Sequence, residues 1–139
     1  MPSRYVLDCS VTMAWFFEDE AKRSTDALFD ALPEADVHVA AIWPIEVANV
    51  LTLAERKGRT SEARISQFIQ RLLKQPITID HDGLDRSFTH IRQLAKLRSL
   101  TTYDASYLEL AIRRDLPLVT LDKQLIAAAR VEGIHCVTL

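Results

Sequence analysis

Apolar positions along this chain fall into two alternating patterns. Short runs at residues 4–8, 37–41, 77–80, 118–121 and 135–138 read as β-strands. The first four are apolar or β-branched with little polar alternation, the pattern of strands covered on both faces. Between the runs, apolar residues recur at helical spacing. Ser10 is placed to cap a first helix through Phe17, and residues 20–32 continue with Ala21, Leu28, Ala31 and Leu32 as a stripe. Pro44 suits a first helical position, where its missing N–H costs nothing, and Gly58 suits a left-handed end for a helix reaching Lys57. A fresh start at Thr60, Ser61 and Glu62 leads into Ile65, Phe68, Ile69, Leu72 and Leu73, stopping before Pro76. Further helices are expected at 85–97, 104–114 and 123–132, the last stopped by Gly133.

Strand–helix alternation of this kind predicts an α/β fold, a three-layer α/β/α sandwich with right-handed crossovers. Pattern alone leaves the strand order open. The length, 139 residues, fits one domain over 1–139 with a sizeable core.

Composition narrows the function classes. A net charge of -2 excludes a generally basic nucleic-acid coat, though not a local basic patch. No apolar run approaches the roughly 20 residues that span a bilayer, so no membrane association is expected. Asp8 and Glu18 interrupt the N-terminus too early for a signal peptide. Cys9 and Cys136 are too few for a disulfide framework, which makes a reduced, cytoplasmic setting the expectation. His38, His81, His90 and His135 are scattered and form no HxH or HExxH pattern, and no GxGxxG, Walker loop or nucleophile elbow occurs.

The chemistry lies in four acids that each fall where a strand or loop gives way to a helix. Asp8 follows Tyr5, Val6 and Leu7; Glu46 follows Trp43 and Pro44; Asp104 opens a helix; Asp122 follows Leu118 to Leu121. Strand-to-helix turns of a parallel sheet emerge on one edge, where ligands bind. Taken singly, Glu46, Asp104 and Asp122 read equally as helix caps. Taken together, four carboxylates on one edge raise each other's pKa or recruit a cation. Oxygen-only ligation selects a hard ion such as Mg²⁺ or Mn²⁺. Such an ion activates water for phosphodiester displacement.

Four segments carry a resemblance. They are Val6 to Val11 with Ala14, Trp15 and Phe16; Pro44 to Leu51; Thr102 to Ala111; and Leu116 to Asp122. In order and at compatible spacing they resemble the PIN-domain ribonucleases, and among these the VapC-type toxins of bacterial toxin–antitoxin pairs. The resemblance covers nearly the whole chain. It implies a PIN-like, five-stranded, mainly parallel sheet of order 3-2-1-4-5, which sets Asp8 near Asp122. It implies a metal-dependent endoribonuclease whose catalytic, metal-ligating acids are Asp8, Glu46, Asp104 and Asp122, with Asp122 acting through water. Ser10 and Thr120 would support a carboxylate or bound water, and Asn49 would position Glu46. The implied partners are RNA, a VapB-like antitoxin in a hetero-oligomer, and a second copy in a homodimer. Cys9 departs from the family's usual small or hydroxylated residue, and its side chain is expected to point away from that of Asp8.

Other features have plainer readings beside sharper ones. Trp15, Phe16 and Phe17 serve as core, or leave one ring for a partner. Arg56, Lys57, Arg59, Arg64, Arg71 and Lys74, and again Arg92, Lys96 and Arg98, serve as solvated helix faces or as RNA-backbone contacts. The Ile65 to Leu73 stripe offers surface for self-association. The alternatives are a solitary RNA-processing nuclease, an inert RNA-binding module, and an aspartyl-phosphate hydrolase. That last class wants a second acid where Ser10 stands. A phosphoreceiver is disfavoured because no lysine follows the last strand.

Overall fold

Four parallel strands run through the centre of the computed structural model, which describes residues 2–139. They are β1 (Arg4–Leu7), β2 (Asp36–Ala40), β3 (Ile77–Asp80) and β4 (Leu118–Val119), in the order β3-β2-β1-β4. Val6 lies opposite both His38 of β2 and Leu118 of β4, so β1 is interior. Its Tyr5, Val6 and Leu7 are buried, as the unbroken apolar run requires.

The helices are α1 (Cys9–Phe16), α2 (Arg23–Ala31), α3 (Trp43–Arg56), α4 (Glu62–Leu73), α5 (Arg92–Arg98), α6 (Thr102–Arg114) and α7 (Lys123–Val131). Right-handed crossovers put α1 to α4 on one face and α5 to α7 on the other. The contacts agree: α1 touches α2 and α3, while α6 touches α5, α7, β1 and β2. Gly58 and Gly133 take φ of +73° and +74°, where only glycine is unstrained, and each follows the end of a helix. Among the described residues no helix is long and apolar enough to cross a membrane.

The sheet departs from the expected five strands. Residues 135–138 do run beside β4, but only as an isolated parallel bridge between Leu118 and Cys136. The Leu118 N–H donates to the His135 carbonyl at 2.9 Å and the Val137 N–H to the Leu118 carbonyl at 3.1 Å. β4 is only two residues long because Thr120 onward turns to serve Asp8 and the start of α7. A neighbour therefore finds little ladder to extend.

Two helices also differ from the periodicity. Residues 20–32 break into a 3₁₀ turn at Glu18–Glu20, then α2, then a second turn at Leu32–Glu34 that accommodates Pro33. The expected helix 85–97 is a 3₁₀ turn (Asp82–Arg86), a π turn (Ser87–Ile91) and α5. Its start is tied down by ion pairs and a backbone bond. The Gly83 N–H donates to Asp80 Oδ2 at 3.0 Å, and Arg86 Nε lies 3.2 Å from Glu109 Oε1. Ile65, Phe68 and Leu72 of α4 face the core, leaving Leu73 as the strongly exposed member of that stripe.

Candidate active site

Asp8 ends β1 and is also the N-cap of α1, its Oδ1 accepting the Val11 N–H at 3.3 Å. Ser10, expected as that cap, lies inside the helix instead. Its hydroxyl donates to Asp8 Oδ1 at 2.7 Å and accepts the Leu121 N–H at 2.9 Å. Thr120, just past β4, donates to Asp8 Oδ2 at 2.5 Å, and its hydroxyl accepts the Asp122 N–H at 3.0 Å. Pairing of β1 with β4 therefore builds a buried clasp around one carboxylate. Burial pushes the Asp8 carboxyl up to about 6, against the pull of the Thr120, Ser10 and Val11 donors and with a further rise from the charge of Asp104.

Glu46 sits in the first turn of α3, where Tyr107 of α6 donates its hydroxyl to Oε1 at 2.5 Å. Burial raises its pKa, Tyr107 lowers it and Asp104 raises it again. Asp104 lies in the first turn of α6, but Thr101 is that helix's N-cap, accepting the Asp104 N–H at 3.1 Å. Burial raises the Asp104 pKa, and the charge of Asp122 adds to it. Asp122 is the N-cap of α7, accepting the Leu125 N–H at 2.9 Å.

Asp104 is thus the acid that the other three share: it raises Asp8 and Glu46 and is raised by Asp122. The four do not close into a ready-made cage. Among the described residues no three His, Cys, Asp or Glu side chains stand close enough to clasp an ion directly. Asp8, Glu46 and Asp122 each also accept from a protein donor. The arrangement is Asp104 repelling each of three other carboxylates, with oxygen donors alone, which suits a hard cation that keeps part of its water.

Cys9 packs partly buried against the core. Burial, followed by the charges of Glu46, Asp8 and Asp104, pushes its thiol up to about 12, so it stays protonated and unreactive. Asn49 is exposed on α3, and the hydrogen bond that holds Glu46 comes from Tyr107. Tyr107 was missed from sequence, although its place one turn after Asp104 puts both on one helix face. Thr12 was missed as well. Its hydroxyl donates to the Asp8 carbonyl at 3.1 Å and accepts from Trp43 Nε1 at 2.9 Å, linking α1 to the start of α3.

A second buried charge group lies at the end of β3. Arg113 of α6 donates to Asp80 Oδ2 at 2.6 Å through one terminal nitrogen and to Glu109 Oε1 at 2.8 Å through Nε. Both acids are buried, and the bonds to Arg113 help hold Asp80 below its usual pKa despite burial.

The three aromatic residues after the clasp are engaged with neighbours. Trp15 donates its indole N–H to the Thr25 carbonyl at 2.8 Å and packs edge-on to Phe29, while Phe16 meets Phe17 and Phe68. Arg59 lies over the Phe17 ring and Arg71 over Phe29. With Arg64 they line a groove of about 640 Å³ between α1 and α4.

A parallel α/β sheet with buried acid at its carboxyl edge defines a class of ligand-binding folds. The PIN domain model matches residues 5–131, and this chain belongs to that family. It is 33% identical over 85 residues to the protein named exonuclease VapC9 of Pyrobaculum aerophilum, a match covering 61% of each chain. The chain thus spans about three fifths of that relative's length. The crystal structure of PAE2754 from Pyrobaculum aerophilum superposes with a TM-score of 0.70 at 25% identity, covering 99% of this chain and 92% of that one. FitAcB from Neisseria gonorrhoeae (TM-score 0.66, 18% identity, 96% of each chain) shares the fold. So does a toxin–antitoxin complex from Klebsiella pneumoniae (0.58, 20%, 96% of each).

Proposed function

We propose that this chain is a metal-dependent endoribonuclease, the toxin of a toxin–antitoxin pair, with Asp8, Glu46, Asp104 and Asp122 as its catalytic acids. The observation that carries the reading is the coupling of all four through Asp104, with Asp8 buried and pushed up to about 6. Carboxylates held this way store repulsion that a divalent cation relieves. Asp8, Glu46, Asp104 and Asp122 would hold Mg²⁺ or Mn²⁺ in part through its retained waters, and the ion would supply an activated water and neutralise phosphate charge.

The residues of the chain do the rest. Ser10 and Thr120 fix the Asp8 carboxylate, and Tyr107 fixes Glu46. Arg92 and Lys96 of α5, which make no ion pair among the described residues, offer positive charge to the RNA backbone. The whole of 1–139 acts as one nuclease domain in the cytoplasm, and growth inhibition follows from cutting RNA needed for translation.

The antitoxin reading is supported by the groove between α1 and α4, whose aromatic floor and arginine rim suit a peptide segment. The Klebsiella pneumoniae toxin–antitoxin complex, which shares the fold, adds weight by its name. Self-association into a homodimer completes the reading.

Asp8→Asn and Asp104→Asn proteins should each lose metal-dependent cleavage of single-stranded RNA and growth inhibition while keeping native circular dichroism. Unchanged cleavage in both sinks the site assignment. The name of the Pyrobaculum aerophilum relative favours a second reading, exonucleolytic attack. A covalently closed RNA circle separates the two, since only an endonuclease opens it.

A further inference from the structure

Among the described residues only two aromatic side chains are exposed, Phe88 at 90% and Tyr103 at 56%. Both line one groove of about 510 Å³, between the end of β2, the irregular segment 82–91 and the first turn of α6. The aromatic residues after the clasp are engaged elsewhere: Trp15 with Phe29, Phe16 with Phe68, and Phe17 with Arg59. Among the described residues no ring or cation covers Phe88 or Tyr103 in that way, so each keeps a π face open.

Two charged residues line the groove, and one of them is already neutralised. Asp80 is buried and paired with Arg113 at 2.6 Å and Arg114 at 3.5 Å. Arg92, at the start of α5, is exposed and makes no ion pair among the described residues. The unmatched charge of the groove is therefore positive. Tyr103 directly precedes Asp104, and consecutive helical residues point in different directions. One turn of α6 thus carries a carboxylate of the acid site and a ring of the groove. A flat ligand with a negative charge on a flexible link satisfies rings, cation and position together, and a nucleotide within a single strand is such a ligand. Proteins hold single strands in this way, with aromatic rings against the bases and cations along the backbone. An apolar peptide would leave Arg92 unmatched.

We propose that this groove is a nucleobase subsite for single-stranded RNA, with a base stacked on Phe88 and Tyr103 and a neighbouring phosphate on Arg92. The subsite rests on the ribonuclease reading above and deepens it, since it holds a nucleotide beside Asp104 by its base. Stacking needs only a π face, so the subsite requires a base without selecting which one. The hydroxyls on its walls agree: Ser87 donates to the Leu84 carbonyl at 2.7 Å and Ser106 to the Tyr103 carbonyl at 2.5 Å. Neither is left to donate to a base edge.

Fluorescence anisotropy in metal-free buffer, where no cutting intervenes, tests the subsite. Wild-type protein should bind a short labelled single-stranded RNA more tightly than a fully abasic ribose-phosphate chain of the same length. Phe88→Ala and Tyr103→Ala should each weaken RNA binding about fivefold or more and leave the abasic chain unaffected. Phe88→Trp should keep the RNA affinity, because it keeps a ring. Arg92→Gln should weaken both chains alike. Equal wild-type affinity for the two chains overturns the proposal, as does RNA binding indifferent to Phe88→Ala or Arg92→Gln. Phe88→Ala protein that loses self-association but keeps its RNA affinity assigns the groove to a protein contact instead. Metal-dependent cleavage by a wild type whose affinity ignores both rings sinks the subsite and leaves the nuclease standing. A wild type that neither binds nor cuts RNA sinks both.

Discussion

The Thr120 hydroxyl donates to Asp8 Oδ2 at 2.5 Å, across the joint between β4 and β1. This bond fixes one carboxylate oxygen while Ser10 fixes the other. Removing a group that orients a metal-binding carboxylate typically lowers metal affinity or activity about 10- to 100-fold. Thr120→Val should therefore cut metal-dependent RNA cleavage by about that factor, with Thr120→Ser close to wild type. Cleavage rates over a metal titration check both.

Asp8 gives the apo protein a pH dependence with a definite sign. Its folded pKa is raised from 3.8 to about 6, so the folded state binds the proton more tightly than the unfolded chain. The resulting stability is present below the unfolded value and lost as pH rises through about 6. Metal-free protein should thus lose up to roughly 3 kcal/mol between pH 4 and 7 from this group, and Mg²⁺ should restore it. Asp8→Asn should be more stable than wild type at pH 7 without metal, yet inactive. Urea denaturation at two pH values, with and without metal, reads each outcome.

Tyr107 links the site's two helices by holding Glu46. In Tyr107→Phe the Glu46 carboxylate loses its donor, and its pKa, already raised by burial and Asp104, rises further. The acid limb of the cleavage-rate profile should move to higher pH. A profile that keeps its shape would make Tyr107 a packing residue only.

Arg113 holds two buried carboxylates, Asp80 and Glu109. Arg113→Met removes the closest partner of both, leaving Glu109 to Arg86 at 3.2 Å and Asp80 to the Gly83 N–H and Arg114 at 3.5 Å. It should cost less than the roughly 3–5 kcal/mol of a fully stranded buried charge. Asp80, held below its normal pKa, contributes stability above that value which is lost as pH falls through its folded pKa. Thermal denaturation of wild type and Arg113→Met at neutral and acid pH measures both effects.

Tyr5 is buried and its hydroxyl has no hydrogen-bond partner among the described residues. Tyr5→Phe removes a desolvated polar group and should stabilise the fold by about 1 kcal/mol. A higher melting temperature is the expected readout.

Periodicity in the sequence revealed what depends on burial. The interior strand β1 and the helices with clear stripes, such as α4 and α6, follow from apolar spacing alone. What it missed was set by bonds between distant residues. The fifth strand shrank to a bridge at Cys136 because Thr120, 112 positions from Asp8, leaves the ladder to bind it. The helix expected at 85–97 became irregular because Asp80 and Glu109 anchor its start. The four acids were legible as a set, since each marks the start of a helix. The partners of Asp8, Ser10 and Thr120, came with the resemblance, but the partner of Glu46 did not, because Tyr107 reaches it across 61 positions and nothing in local composition marks the pair.

Asp8 also bears on how relatives of this chain should be read. It ends a strand, caps α1 and closes the clasp with Ser10 and Thr120, so the fold needs an acceptor there whether or not any RNA is cut. A homologue that had given up catalysis would still be held to Asp or Asn at this position by folding alone. Asp104 carries no such duty, because Thr101 caps its helix. On the proposed site, a change at 104 in a diverged copy would mark lost catalysis rather than lost folding.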